Sequence, residues 1–313
     1  MKRYLIKKLI GLLDSLGLGT FKQQVVDAKI LTARTCINQM KLMPQVRSLA
    51  EAEFKVFSQF GDDGILQYLI HRLNIPQALQ TFVEFGVENY EESNTRFLLM
   101  NDNWRGLIMD GSESNMQFVQ NSSYFWKHDL TAKAAFIDAE NINDLITNAG
   151  FSGEIGILSV DIDGNDYWVW DKIDVINPII VVAEYNGIFG CQYALSVPYS
   201  PSFRRTQAHH SNLYWGCSLA ALNHLAVKKG YTFCGCNSAG NNAYFVRNDY
   251  CNDYTPTPSV VEGFVDPKFR ESRNESGALT YLAGTSRLKE IRNLAMVDVM
   301  TTKTSLVSEL FKV

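Results

Sequence analysis

The sequence predicts an α/β fold: a mostly parallel seven-stranded sheet with helices on both faces and an antiparallel hairpin at its C-terminal end. Three observations predict it. From Phe54 onward, short apolar runs alternate with helical patterns. Those runs are nearly continuous in hydrophobicity, as parallel strands buried on both faces are. The last two runs, YTFCGC and NAYFVR, are separated only by the turn-rich NSAGN and read as a hairpin.

The elements follow in order. Residues 1–53 read as an N-terminal helical extension. Its opening, MKRYLIKKLIGLLDSLGLG, sets Leu5, Ile6, Leu9, Ile10, Leu12 and Leu13 beside Lys2, Arg3, Lys7 and Lys8. Residues 1–13 thus predict a basic amphipathic helix, which lies on a membrane surface or packs on its own domain or a second subunit. Residues 54–254 form the α/β domain. Ile65 to Leu73 has helical spacing, and TFVEFG is the first strand. Ser93 is placed to cap a helix through Arg96 and Leu99. RGLIMD is the second strand and SYFWKHD the third, ending at Asp129, with a helix expected over Ala134–Ala149. IGILSVDID is the fourth strand, followed by a helix from Tyr167 to Ile173. PIIVVAEYN is the fifth, and CSLAALNHLAVKKG is the helix before the hairpin. Residues 255–313 read as a C-terminal helical extension.

Composition narrows the function classes. The chain has 313 residues, 46% hydrophobic and 20% charged, enough to bury a core. A net charge of -4 argues against a general nucleic-acid binder. Cys36, Cys191, Cys217, Cys234, Cys236 and Cys251 lack paired zinc spacing and read as reduced thiols of a cytoplasmic protein. No run is long and apolar enough to span a bilayer.

In open α/β sheets, ligands bind beyond the carboxyl ends of the strands. The expected ends carry Glu84, Asp110, Asp129, Asp161, Asp163 and Glu184. A dinucleotide needs Gly-x-Gly-x-x-Gly after the first strand, so that backbone N–H groups reach its pyrophosphate. Here only Gly86 is present, in Glu84-Phe85-Gly86-Val87-Glu88-Asn89, and Glu88 would repel a phosphate. S-adenosylmethionine has no phosphate but an ammonium, a sulfonium and a ribose diol. Glu84 suits its cationic methionine portion, Asp110 its ribose hydroxyls, and Asp129 its adenine amino group. Five β/α units closing in an antiparallel hairpin are the usual ending of a Rossmann-like methyltransferase fold.

The segments FSQFGDDGIL, FVEFGVENYEESNTRFL, WRGLIMDGSE, LSVDIDGNDYWVW and VVAEYN together resemble the FkbM-type methyltransferase family, from about Phe54 to Arg247. The resemblance implies S-adenosylmethionine as cofactor and O-methylation of sugars or polyketide-like compounds. It places Glu84, Gly86, Asp110 and Asp129, with Asn89 in the same loop, in the cofactor site. The loop departs from the family's pattern, with Glu88 and Asn89 where small residues are common.

Methyl transfer to a hydroxyl needs an in-line acceptor and a base. Asp161, Asp163, Asn165 and Asp166 share one turn, DIDGND. Three roles stay open. Asp163 or Glu184 is the general base, or Asp161, Asp163 and Glu184 hold Mg²⁺, or these acids bond backbone N–H groups and position Trp168. The insertion 186–215 is expected to cover the acceptor pocket, with Asn186, Arg204, His209 and Tyr214 as substrate-binding candidates. Arg204 and Arg205 would meet a phosphate or carboxylate, or stay solvated. Asn237, Ser238, Asn241 and Asn242 read as turn chemistry. The expected function is methylation of a glycan, glycolipid or related small molecule in the cytoplasm. A catalytically silent member of the fold that binds a ligand or a protein partner is the alternative, suggested by Glu88.

Overall fold

The computed structural model describes residues 18–43 and 45–313. The basic helix expected over residues 1–13 lies outside the described residues.

Seven strands form the main sheet: β1 (Thr81–Phe85), β2 (Arg105–Asp110), β3 (Leu130–Ala134), β4 (Gly153–Val160), β5 (Ile176–Glu184), β7 (Tyr231–Cys236) and β8 (Asn242–Arg247). Their order is β3-β2-β1-β4-β5-β8-β7. The first five are parallel, and β8 is antiparallel to both β5 and β7. This is the Rossmann-like methyltransferase arrangement that the sequence predicts.

Period-two alternation explains why the strands are apolar throughout. Val83, Phe85, Leu107, Met109, Leu158, Val160 and Val181 face one core, with Trp170, Leu222 and Leu225 from the covering helices. Phe82, Ile108, Ile157, Ile180 and Val182 face the other, against Ile65, Leu66, Leu69 and Leu98. Each fully buried aliphatic or Phe side chain contributes about 1.5–3 kcal/mol. Helix ends are set locally: Ser112 Oγ accepts from Asn115 N at 3.3 Å, and Ser218 Oγ from Ala221 N at 3.1 Å, capping Glu113–Gln120 and Leu219–Lys228.

Three expectations are corrected. The run SYFWKHD is not a strand. Backbone bonds from Ser122 N to Val119 O, Phe125 N to Ser122 O and Lys127 N to Tyr124 O coil it into turns, and β3 begins only at Leu130. The helix expected over 134–149 is confined to Ile142–Asn148, because β3 pairs with β2 through Ala134. Ser93 does not cap the helix Arg96–Asp102. Its hydroxyl donates to Glu84 at 2.6 Å, and the cap position is Thr95.

The region 255–313 holds short helices, as expected, and also two strands. β9 (Ala295–Asp298) and β10 (Thr304–Leu306) join β6 (Leu195–Ser196), inside the 186–215 insertion, in a second sheet of order β10-β9-β6. A satellite core of Phe189, Leu195, Val197, Leu213, Leu288, Ile291 and Met296 lies beneath it. All six cysteines are free.

Candidate active site

The strand order reverses between β1 and β4, and a cavity of about 660 Å³ opens beyond the carboxyl ends there. Gly86 makes the crevice possible. It has φ +71°, and a Cβ on it would fall 1.5 Å from the carbonyl oxygen of Asp161. The loop behind it takes two more left-handed residues, Glu88 and Tyr90. Backbone, rather than a run of glycines, therefore shapes this turn.

Asp110 ends β2 at the cavity wall. Its Oδ2 accepts from Glu88 N at 2.9 Å, and its Oδ1 from Ser112 N at 2.8 Å. The carboxylate thus fastens the first loop to the second strand end. Glu84 also lines the cavity but is committed elsewhere. Its oxygens accept from Ser93 Oγ, Thr95 Oγ1 and the amides of Asn94 and Thr95. Burial pushes its carboxyl up, against the pull of those donors. Glu84 therefore orders the start of the next helix, where the sequence reading gave it to the ligand's cation.

Asp129 is the clearest correction. It precedes β3, at the opposite edge of the sheet, and pairs with Arg105 at 3.6 Å on the surface. The real end of β3 delivers Ala135, Phe136 and Ile137 to the cavity. Asn89 does not line it; its Oδ1 accepts from Glu91 N at 3.0 Å, closing the loop on itself.

The other half of the cavity lies at the carboxyl ends of β4 and β5 and the start of β8. β4 stops at Val160, so Asp161 and Asp163 do not share a strand face. Asp163 turns at φ +54° to an ion pair with Arg205, 2.7 Å away. Asp161 and Glu184 instead hydrogen-bond to each other. Burial raises both carboxyls well above the usual range, and the charges of Asp163 and Asp166 add to it. Two carboxyls so placed do not both ionise readily. Asp166 performs the turn-closing role, accepting from Ile162 N at 2.8 Å and Gly164 N at 2.9 Å, and burial raises it to about 6. Trp168 is held separately, donating to Val197 O at 2.9 Å.

The three residues Asp161, Asp163 and Glu184 were one candidate set for Mg²⁺. Arg205 draws Asp163 away from the other two. Among the described residues, no three carboxylate, imidazole or thiol groups are arranged to hold a metal ion.

Three acceptor oxygens at the cavity are buried and unpartnered: Glu184 Oε2, Asn165 Oδ1 and Asn242 Oδ1. Glu184 and Asn242 face each other across the β5–β8 ladder. An unsatisfied buried acceptor costs about 1–3 kcal/mol, which a donor-bearing ligand recovers. Asn242 was missed as a site residue because it read as turn chemistry, and Asn165 was placed in the DIDGND turn but given no role. Their positions, just beyond a strand end or opening the strand beside β5, were the available signal.

The insertion does wall the cavity, through Phe203, Arg204 and Arg205. The Arg204 guanidinium lies 4.6 Å over the Phe136 ring. Arg205 is structural: besides Asp163 it meets Glu271 at 3.4 Å, Asn212 O at 2.9 Å and the face of Trp215. The other substrate-binding candidates do not line the cavity. Asn186 donates to the carbonyls of Leu213 and Trp215, both at 3.0 Å, and pins the insertion from below. Tyr214 donates to Ala295 O, joining the insertion to β9. His209 bonds Ser211, 2.8 Å away, and His210 bonds Glu290 at 3.0 Å. Burial lowers the His209 imidazole.

No protein-family model matches the chain, and no curated protein matches it. Among solved structures it is similar to the N-terminal domain of EvdMO1 with SAH bound, at 11% identity over 68% of this chain and 94% of that one, with a TM-score of 0.38. It is similar to an O-methyltransferase from Bacillus cereus in complex with SAH, at 11% identity over 70% and 89%, with a TM-score of 0.38. The CurJ carbon methyltransferase aligns at 10% identity over 64% of this chain and 57% of its own, with a TM-score of 0.39.

Proposed function

We propose that the chain is an S-adenosylmethionine-dependent methyltransferase that methylates a hydroxyl of a sugar, glycolipid or related molecule. One observation carries the reading: the cavity at the strand-order reversal. Eight carboxylates (Glu84, Glu88, Glu92, Asp110, Asp161, Asp163, Glu184 and Glu271) line it against two guanidiniums. A pyrophosphate is repelled there, whereas a sulfonium and an ammonium are attracted. The donor set fits this cofactor. Asp110 keeps acceptor capacity for a ribose diol, the Gly86 loop gives close backbone approach, and Phe136 offers an aromatic face. The FkbM resemblance of the same segments supports the same reading.

When bound, the cofactor supplies a methyl group activated by its sulfonium. The chain's own residues do the rest. Asn165, Asn242 and Glu184 accept hydrogen bonds from acceptor hydroxyls and orient them. The Asp161–Glu184 pair, holding one proton, accepts the proton leaving the reacting hydroxyl at Glu184 Oε2. Asp163, neutralised by Arg205, keeps the insertion closed over the site.

The test is calorimetric titration with S-adenosylmethionine and S-adenosylhomocysteine, with NAD as control, each with Mg²⁺ and with chelator. One-site binding of the first two, insensitive to chelator, is expected. NAD binding without either would overturn the reading. Cofactor binding with no transfer to any hydroxyl acceptor would favour a catalytically silent protein.

A further inference from the structure

We propose that the face formed by the helix Leu18–Lys41 and the segment 118–127 docks on an anionic lipid bilayer and brings the mouth of the cavity to it. Single exposed apolar residues are ordinary on a protein surface. Here several gather. A groove of about 220 Å³ joins the two segments, lined by Gln23 and Val26 on one side and Phe118, Tyr124 and Lys127 on the other. Phe118 in its lining is 51% exposed, Trp126 next to Lys127 76%, and Phe21, elsewhere on the same helix as Gln23 and Val26, 62%. Trp126 carries the Lys127 ammonium 5.3 Å from its ring centre. An exposed Trp with a Lys over it suits the headgroup level, where one end is apolar and the other charged.

Charge selects the partner. The helix Leu18–Lys41 holds four lysines and arginines against one acid, and Lys127 adds a fifth cation, in a chain whose total is -4. The helix of this face is therefore basic, while the rest of the chain is acidic. An anionic surface attracts the first and repels the second, which fixes orientation as well as affinity. Exposed aromatics beside a basic segment are the two signals that stable peripheral binding needs.

Position relates this face to the cavity. Asn115 lines the cavity and Phe118 lines the groove, three residues apart on one helix. That is about 4.5 Å of helical rise. Glu92 and Glu91 divide in the same way between cavity and groove. Docking by this face sets the cavity beside the headgroups, where a lipid-linked acceptor is presented. The docking does not depend on the methyltransferase reading; only the lipid-linked acceptor does.

The test is flotation of the full chain with vesicles of phosphatidylcholine alone and with about 30% phosphatidylglycerol. The tryptophan emission is followed in parallel and assigned to Trp126 by comparison with the variant that lacks it, since Trp104, Trp170 and Trp215 are buried and Trp168 is half-buried. Binding to the anionic vesicles only is expected, with a blue shift, and release in about 0.5 M salt. The Phe118→Ser/Trp126→Ser variant should lose at least about tenfold in partitioning while keeping its circular dichroism and its affinity for S-adenosylhomocysteine. Failure of the intact chain to bind anionic vesicles, or equal binding by the variant, would overturn the proposal. So would a dimer in sedimentation that the variant dissolves, which would make the face a contact between copies. Vesicle binding without any S-adenosylhomocysteine binding would sustain the docking and sink the methyltransferase reading alone.

Discussion

Glu184 ends β5 beside Asp161, and its Oε2 is buried without a hydrogen-bond partner. Replacing it with Gln keeps the shape and removes the proton acceptor. Turnover should fall about 10²–10⁴-fold with S-adenosylhomocysteine affinity unchanged, and the acid limb of the pH–rate profile should disappear. Unaltered turnover would remove Glu184 from the chemistry. Asp110→Ala should instead weaken cofactor binding by about 1–3 kcal/mol, read by titration calorimetry. At this scale the sequence was legible where a strand end was correctly placed. Asp110 and Glu184 follow from RGLIMD and PIIVVAEYN. Glu84 was placed correctly, but nothing in one strand shows that Ser93, Asn94 and Thr95 fold back onto its carboxylate. Asp129 failed with its strand.

β2, β7 and β8 were legible to the residue, since each is a dense run of apolar and β-branched or aromatic residues bounded by turn or charge signals. β3 was not. LTAKA has little strand propensity, and its pairing with β2 decides its state. The neighbouring SYFW has the propensity but no edge to pair with. The loop after β1 gives a test at this scale. Gly86→Ala puts a Cβ 1.5 Å from the Asp161 carbonyl at φ +71°. The variant should lose about 2 kcal/mol or more of stability in urea unfolding, from strain and overpacking together. It should also lose cofactor affinity, because the β1 and β4 ends must part. Wild-type stability would mean that the crevice relaxes at no cost.

For the whole molecule, the buried acids set how stability varies with pH. Asp161 and Glu184 are raised by burial, and Asp166 to about 6. The folded state therefore holds protons that the unfolded chain releases. The stability these groups contribute is present at low pH and is lost as pH rises through their folded values. Glu184→Gln should then raise the thermal midpoint at alkaline pH, with the gain vanishing in mild acid; an equal gain at all pH values would contradict the shared proton. The mostly parallel seven-stranded sheet was legible at this scale from the β/α alternation and the final hairpin. The second sheet was not. β6 is two residues long, and its partner β9 lies about a hundred residues further along the chain. That separation has a consequence for synthesis. The main sheet is complete once Arg247 has been made, but β6 of the insertion gains its sheet partner only when β9 follows. At about 5–20 residues per second, the roof of the site waits some seconds after its floor has formed. A nascent chain thus has its crevice before the second sheet that braces its wall.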